Sequence, residues 1–239
     1  MPGDAPITLL VIAKEPRPGR AKTRLAPAFT ARGAAALAAA ALTDTLRTVL
    51  AVPARRRILV LDGRPGPWLP EPGEGGAGLE IVPQAGGSLD ERLAAAFALC
   101  DGPALLVGMD TPQLTPAHLA PATGPAAWHR HDAFFGPAAD GGFWALGLAA
   151  PDPALLRGVP MSTPRTGAVQ RARLVAAGLT VTDLPVLRDV DEPEDAAAVA
   201  AQAPGTLFAA EHARWRRPAQ DTAARPDGGE EGAGRSGTA

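Results

Sequence analysis

One cysteine, Cys100, stands among 239 residues, which excludes a disulfide framework within the chain and any zinc site built from several cysteines. Net charge is also small, since 23 Lys and Arg against 25 Asp and Glu leave only −2. Such a chain has no long-range field to hold a polyanion, and nucleic acid is not expected as a partner. The opening Met1-Pro2-Gly3-Asp4 lacks the basic residues of an export signal, and the apolar run Ile7 to Ala13 is too short to cross a bilayer. These absences predict a soluble, cytoplasmic protein. The histidines His118, His129, His131 and His212 have no metal-ligand spacing, and no Ser/His/Asp arrangement points to a nucleophilic hydrolase.

What is present suffices for a core. Residues of the hydrophobic class make up 46% of the chain and charged residues 20%, in a length that suits one α/β domain. The 27 glycines and 26 prolines must then sit in loops and ends. Residues 1–215 are read as one domain. Residues 216–239, with no apolar periodicity, are read as a disordered tail.

Short, β-branched apolar runs at Ile7–Ala13, Arg57–Leu61, Leu79–Val82 and Ala104–Gly108 predict buried strands. Helical patterns alternate with them at about 30–50, at 89–99 behind the capping box Ser88-Leu89-Asp90-Glu91, and after Thr115-Pro116. Gly63 to Gly78 reads as an inserted, mobile loop. Further on, strands are expected at 132–135, 143–148 and 179–184, with Asp140-Gly141-Gly142 as a tight turn. A helix is expected at 166–177, and another from Glu194, either ending at about Ala203 or continuing past Gly205 to about Trp215. Alternation of this kind predicts a three-layer αβα fold with a mostly parallel sheet, in which ligands bind outside the carboxyl ends of strands.

Residues just after strands therefore carry the functional reading. Lys14 to Leu25 holds Lys14, Arg17, Arg20, Lys22 and Arg24 with Gly19 and two prolines, a composition suited to the phosphates of a nucleotide, or else a solvated basic loop. Gly108-Met109-Asp110-Thr111-Pro112 places an aspartate where a hard oxygen ligand for Mg²⁺ would stand, or a turn residue. In Asp189-Val190-Asp191, extended alternation puts both carboxylates on one side, as a metal pair or with Asp191 or Glu192 capping the next helix. Gly141-Gly142 allows close approach to backbone, and Ser162 and Thr163 offer hydroxyls to an acceptor, although a hairpin turn and a helix cap explain them equally.

Taken in order, Lys14-x-Pro16-x-Pro18-Gly19-x-x-Lys22-Thr23-Arg24-Leu25, Gly108-x-Asp110-x-Pro112, Asp140-Gly141-Gly142, Ser162-Thr163 and Asp189-Val190-Asp191-x-Pro193-Glu194-Asp195 carry a resemblance over residues 7–203. The chain resembles a bacterial family provisionally assigned as glycosyltransferases with the GT-A, nucleotide-diphospho-sugar transferase fold, named in part for arsenosugar biosynthesis and held as a domain of unknown function. More distantly, it is similar to the 2-phospho-lactate or phosphoenolpyruvate guanylyltransferases. The resemblance implies that Lys14, Pro18, Gly19, Lys22, Arg24 and Gly108 bind the nucleotide, and that Lys22 and Asp110 are catalytic. It further implies that Asp110, Asp189 and Asp191 hold Mg²⁺ or Mn²⁺, and that Gly141, Gly142, Ser162 and Thr163 border a small-molecule acceptor. Met109, Phe143, Met161 and Glu192 depart from the family's usual residues. Two functions are implied, sugar transfer from a nucleotide diphospho-sugar and nucleotidyl transfer with pyrophosphate release; a third reading, nucleotide binding without turnover, rests on the lack of an obvious general base in the sequence.

Overall fold

β1 (Thr8–Lys14) lies inside a seven-stranded sheet, as its nearly unbroken apolar run requires of a strand covered on both faces. The computed structural model describes residues 7–26, 28–71, 78–124 and 126–215. Along the chain follow α1 (Ala31–Ala51), β2 (Arg56–Asp62), β3 (Glu80–Pro83), α2 (Leu89–Phe97), β4 (Ala104–Gly108) and α3 (Pro116–Thr123). Then come β5 (Ala133–Pro137), β6 (Phe143–Leu148), α4 (Thr166–Ala176), β7 (Val181–Asp183), α5 (Pro193–Gln202) and α6 (Leu207–Trp215). The strand order is β3-β2-β1-β4-β6-β5-β7. All described pairings between these strands are parallel except those of β6, which runs against both β4 and β5. The chain builds outward from β1 to β3 and then returns across β1 to start β4. That reversal opens a crevice at the carboxyl ends of β1 and β4.

Alternate side chains of the central strands feed opposite faces of the sheet. Leu9 and Val11 pack with Leu42, Leu46 and Val49 of α1, whereas Leu10 packs in the cluster of Leu93 and Phe97 of α2 and Leu174 of α4. Each such fully buried side chain stabilises the fold by about 1.5–3 kcal/mol. α1 begins where the Thr30 hydroxyl accepts the Gly33 N–H at 3.0 Å. It is the one described helix long and apolar enough to cross a membrane, but most of it is buried, as a core helix must be. A third cluster joins Leu25, Phe29 and Leu37 to Val190, Val199 and Phe208. Through it, the basic segment after β1 and the acidic segment before α5 are both moored to α1.

Two expectations are corrected. Of the two ends open for the helix from Glu194, the one near Ala203 holds and the continuation to Trp215 does not: α5 stops at Gln202 before Pro204-Gly205, and α6 starts anew with Asp44 of α1 accepting the N–H groups of Leu207 (3.1 Å) and Phe208 (2.9 Å). In the 63–78 loop, residues 72–77 lie outside the described residues, as does the 216–239 tail. The described part of that loop is anchored, because Trp68 and Leu69 pack on the α1-side core and the Trp68 carbonyl accepts the Thr43 hydroxyl at 2.7 Å.

Candidate functional site

The crevice at the switch point is a cleft of about 830 Å³. On one wall, the segment after β1 folds into a tight turn in which the N–H groups of Arg20 and Ala21 both reach the Arg17 carbonyl at 3.0 Å, with Gly19 at a φ of 76°. Glu15 braces it by accepting from Arg17 Nε and the Arg64 N–H, and these bonds, that from the Arg64 backbone first, hold its carboxyl below the usual range. Lys22 then takes the left-handed conformation (φ 50°), rare for a residue with a Cβ, before a 3-10 turn at Thr23–Leu25 buries Leu25. Its side chain is only 10% exposed. Lys22 Nζ sits 2.7 Å from Asp110 Oδ1 and 2.9 Å from Asp191 Oδ1. Burial works against the ammonium, but Asp110 and Asp191 outweigh it, and the Lys22 pKa is raised. Arg24, largely exposed, lies 3.8 Å from Asp191 Oδ2.

Asp110 follows β4 directly, and two hydrogen bonds clamp its loop to the 188–190 segment. The Val190 N–H donates to the Asp110 carbonyl at 2.9 Å, and the buried Gln113 donates through Nε2 to the Arg188 carbonyl at 2.7 Å. Val190 enters the third core cluster, and Asp189 and Asp191 both line the cleft. Asp189 Oδ1 is buried and has no hydrogen-bond partner. Burial first, then the charges of Asp110, Asp140 and Asp191 against the opposing Lys22, push the Asp189 carboxyl up to about 7. Helix capping does not occupy Asp191. Glu192 is the cap of α5, in a reciprocal box with Asp195.

The facing wall is made by the β5–β6 hairpin and the segment entering α4. Asp140 accepts the Gly142 N–H at 2.8 Å. At Gly141 (φ 89°) a Cβ would stand 2.0 Å from the Pro164 carbonyl oxygen, and at Gly167 one would stand 2.4 Å from the Gly142 oxygen. The Gly167 N–H donates to the Gly141 carbonyl at 2.8 Å, so the two segments pack backbone on backbone. Ser162 is left-handed (φ 57°), and Thr166 pins the turn by donating to the Pro160 carbonyl and accepting the Thr163 N–H.

Of the residues singled out from sequence, Lys14, Lys22, Arg24, Gly108, Asp110, Gly142, Ser162, Thr163, Asp189 and Asp191 line this one cleft. Pro18, Gly19 and Gly141 do not; Gly19 shapes the turn, and Gly141 serves the backbone contact with Pro164. Sequence reasoning passed over Gln84, Arg92, Thr111 and Gln113, of which the first three line the cleft. The available signal was Arg92, a charge set between Leu89 and Leu93 on the stripe of α2 that faces the sheet. Elsewhere, His118 closes the box that starts α3, and burial pushes the Cys100 thiol up to about 11, which leaves it unreactive.

Hard carboxylate oxygens and a buried oxygen without a partner suit a divalent cation such as Mg²⁺ or Mn²⁺. As the side chains stand, however, no three His, Cys, Asp or Glu among the described residues are grouped to hold a metal ion unaided. Asp110 and Asp191 spend an oxygen each on Lys22, and Asp189 carries the free one.

No protein of curated function matches the chain. Among solved structures, a protein of Desulfovibrio desulfuricans G20, provisionally named a nucleotide-diphospho-sugar transferase, superposes with a TM-score of 0.73 at 23% identity, over 87% of this chain and 92% of its own. That likeness shows the fold. A nucleotidyl transferase from Methanothermobacter thermautotroptrophicus has a TM-score of 0.48 at 18% identity, over 81% of this chain and 95% of its own. Rv0371c from Mycobacterium tuberculosis H37Rv, in complex with manganese, has a TM-score of 0.44 at 23% identity, over 81% and 96%. The family described as an uncharacterized protein conserved in bacteria (DUF2064) matches residues 45–163, from within α1 to the cleft's second wall.

Proposed function

We propose that the chain is a divalent-metal-dependent transferase using a nucleotide-activated donor, and that the group transferred is a sugar from a nucleotide diphospho-sugar. The observation that carries this is the set of alternating charges at the switch point: Lys22 lies between Asp110 and Asp191, beside the unpartnered oxygen of Asp189. Such a set complements a diphosphate bridged by a cation. Bound there through Asp189, Asp110 and Asp191, Mg²⁺ or Mn²⁺ would supply Lewis-acid neutralisation of the diphosphate.

The chain's own groups do the rest in this reading. Lys22, Arg24, Arg20 and Lys14 hold the diphosphate and neutralise it as it leaves. Thr163, Ser162 and Gly142 orient an acceptor hydroxyl, whose oxygen attacks the anomeric carbon while the bond to the diphosphate oxygen breaks. Asp140, at the second wall, takes the acceptor's proton. A second reading, attack on the α-phosphorus with expulsion of pyrophosphate, draws support from the four cations of the first wall.

The test is a panel of nucleotide sugars and nucleoside triphosphates with Mg²⁺ or Mn²⁺. One donor should raise the melting temperature by mass action, and released nucleoside diphosphate marks sugar transfer whereas pyrophosphate marks nucleotidyl transfer. Asp110→Ala should abolish both the shift and turnover. If no donor shifts the wild type and Asp110→Ala changes nothing, the proposal fails.

A further inference from the structure

Three arginines outside the basic loop show what an arginine in this fold needs. Arg57, buried, donates to the carbonyls of Val49 and Val52, and Arg56 pairs with Glu80 through two bonds and reaches the Leu99 carbonyl. Arg92 is different. Its side chain is 18% exposed and lines the cleft, yet Nη1 donates only to Gln84 Oε1 (3.1 Å), the nearest carboxylate, Asp62, stands 4.0 Å away, and Nε is sealed from water without an acceptor. A guanidinium carries five donors, and leaving them unmet in a sheltered place is costly. A ligand with acceptor atoms would meet that need.

The tether of Arg92 is itself immobile. Gln84 Nε2 donates to the Ala13 and Val60 carbonyls at 2.7 and 3.2 Å, which fixes Oε1, and through it Nη1, over the ends of β1 and β2. Beside Arg92 the cleft floor is apolar, made by Ile12, Leu89, Leu93 and Leu106. Such a floor suits a flat ring better than a small anion, for which the cations of the first wall are the stronger competitors. Position agrees with this. Lys14 pairs in register with Asp62, and Ile12 with Gly108, so the Arg92 end of the cleft is two strand spacings, roughly 10 Å, from the Asp110 end. A nucleoside whose phosphates lie at Lys22 reaches about that far.

We infer that Arg92, held by Gln84, reads the nucleobase of the donor and selects bases with an oxygen rather than an amino group at purine C6 or pyrimidine C4, guanine ahead of uracil, over adenine and cytosine. Guanine offers two adjacent acceptors, O6 and N7, to the fork of an arginine, and uracil offers O4. Adenine and cytosine turn an amino group toward the same donors. This rests on the nucleotide reading above but makes a separate claim.

The experiment is calorimetric titration of GDP, UDP, ADP and CDP, each with Mn²⁺, into the wild type, Arg92→Met and Arg92→Lys. GDP should bind the wild type about ten-fold or more tighter than ADP, with UDP above CDP. Arg92→Met should level the four affinities while the melting temperature stays near that of the wild type. Arg92→Lys, which keeps the charge without the fork, should level them too, and it serves alone if Arg92→Met does not fold. A wild type that binds ADP or CDP as tightly as GDP overturns the inference and leaves the transferase reading standing. An Arg92 variant that weakens all four equally and keeps their ranking does the same. If none of the four binds the wild type, both readings fall together.

Discussion

On the first wall of the cleft, Lys22, Asp110, Asp189 and Asp191 are charged, crowded and unequally satisfied, with one ammonium shared by two carboxylates and a third carboxylate oxygen left over. On the second, residues 140–142 and 160–167 are fixed by backbone contacts and hydroxyl bonds too close to admit even a methyl group at Gly141 or Gly167. The difference teaches where each wall can yield. Side-chain charges can be redistributed by a bound cation, whereas backbone packed on backbone can only hold or break.

Three variants press on that contrast. Lys22→Met should have the largest effect, a loss of activity of about 10²–10³-fold, the range seen on removing one preorganised donor. It also leaves Asp110 and Asp191 without their shared cation, so its melting temperature should fall and then recover on adding Mn²⁺, which calorimetry with and without a chelator checks. Gly141→Ala comes next. A Cβ 2.0 Å from the Pro164 oxygen, at φ 89°, should cost about 2–4 kcal/mol in urea unfolding, and here Mn²⁺ should restore nothing. Recovery of both variants by the metal, or of neither, would break the distinction between the walls.

The third effect is in pH. Asp189 titrates at about 7 in the folded chain against 3.8 for an ordinary aspartate. Between those values the folded form holds the proton that the unfolded chain has lost, so this group's share of stability is full below about pH 4 and declines as the pH rises to about 7. With a chelator present, Asp189→Asn should therefore gain stability relative to wild type across that interval. A constant difference between the two proteins from pH 4 to 8 would remove Asp189 as the strained member of the first wall.

Much of this was legible in the sequence. Buried-strand runs alternating with capped helices predict the parallel core, because a strand covered on both faces has no polar face to show. The alternation Asp189-Val190-Asp191 puts two carboxylates on one side of an extended segment; both line the cleft, and Val190 enters the third core cluster. What the sequence could not carry were contacts between distant backbones. Gly141 reads as a turn glycine, and nothing local says that its hydrogen is needed by Pro164, 23 residues on. By composition Lys22 reads as one cation among five; in the structure a left-handed backbone buries it and sets it apart from Arg24, whose side chain stays 69% exposed. Gln84 and Arg92 were passed over because an amide and an arginine acquire meaning only when the ends of β1 and β2 supply the carbonyls that lock them. The break between α5 and α6 was written in Pro204-Gly205, but its stabilising partner, Asp44, lies in another helix.

The reversed direction of β6 has a consequence for how such a scaffold diversifies. A sheet rim built from the ends of parallel strands receives here the beginning of a strand, delivered by a short hairpin whose tip, Asp140 to Gly142, stands at the cleft's edge. Residues inserted at that tip would extend the rim outward without altering the register of β1, β2 or β4. Relatives that differ in hairpin length would then differ in what the cleft admits at one end, while keeping unchanged the end that meets Lys22.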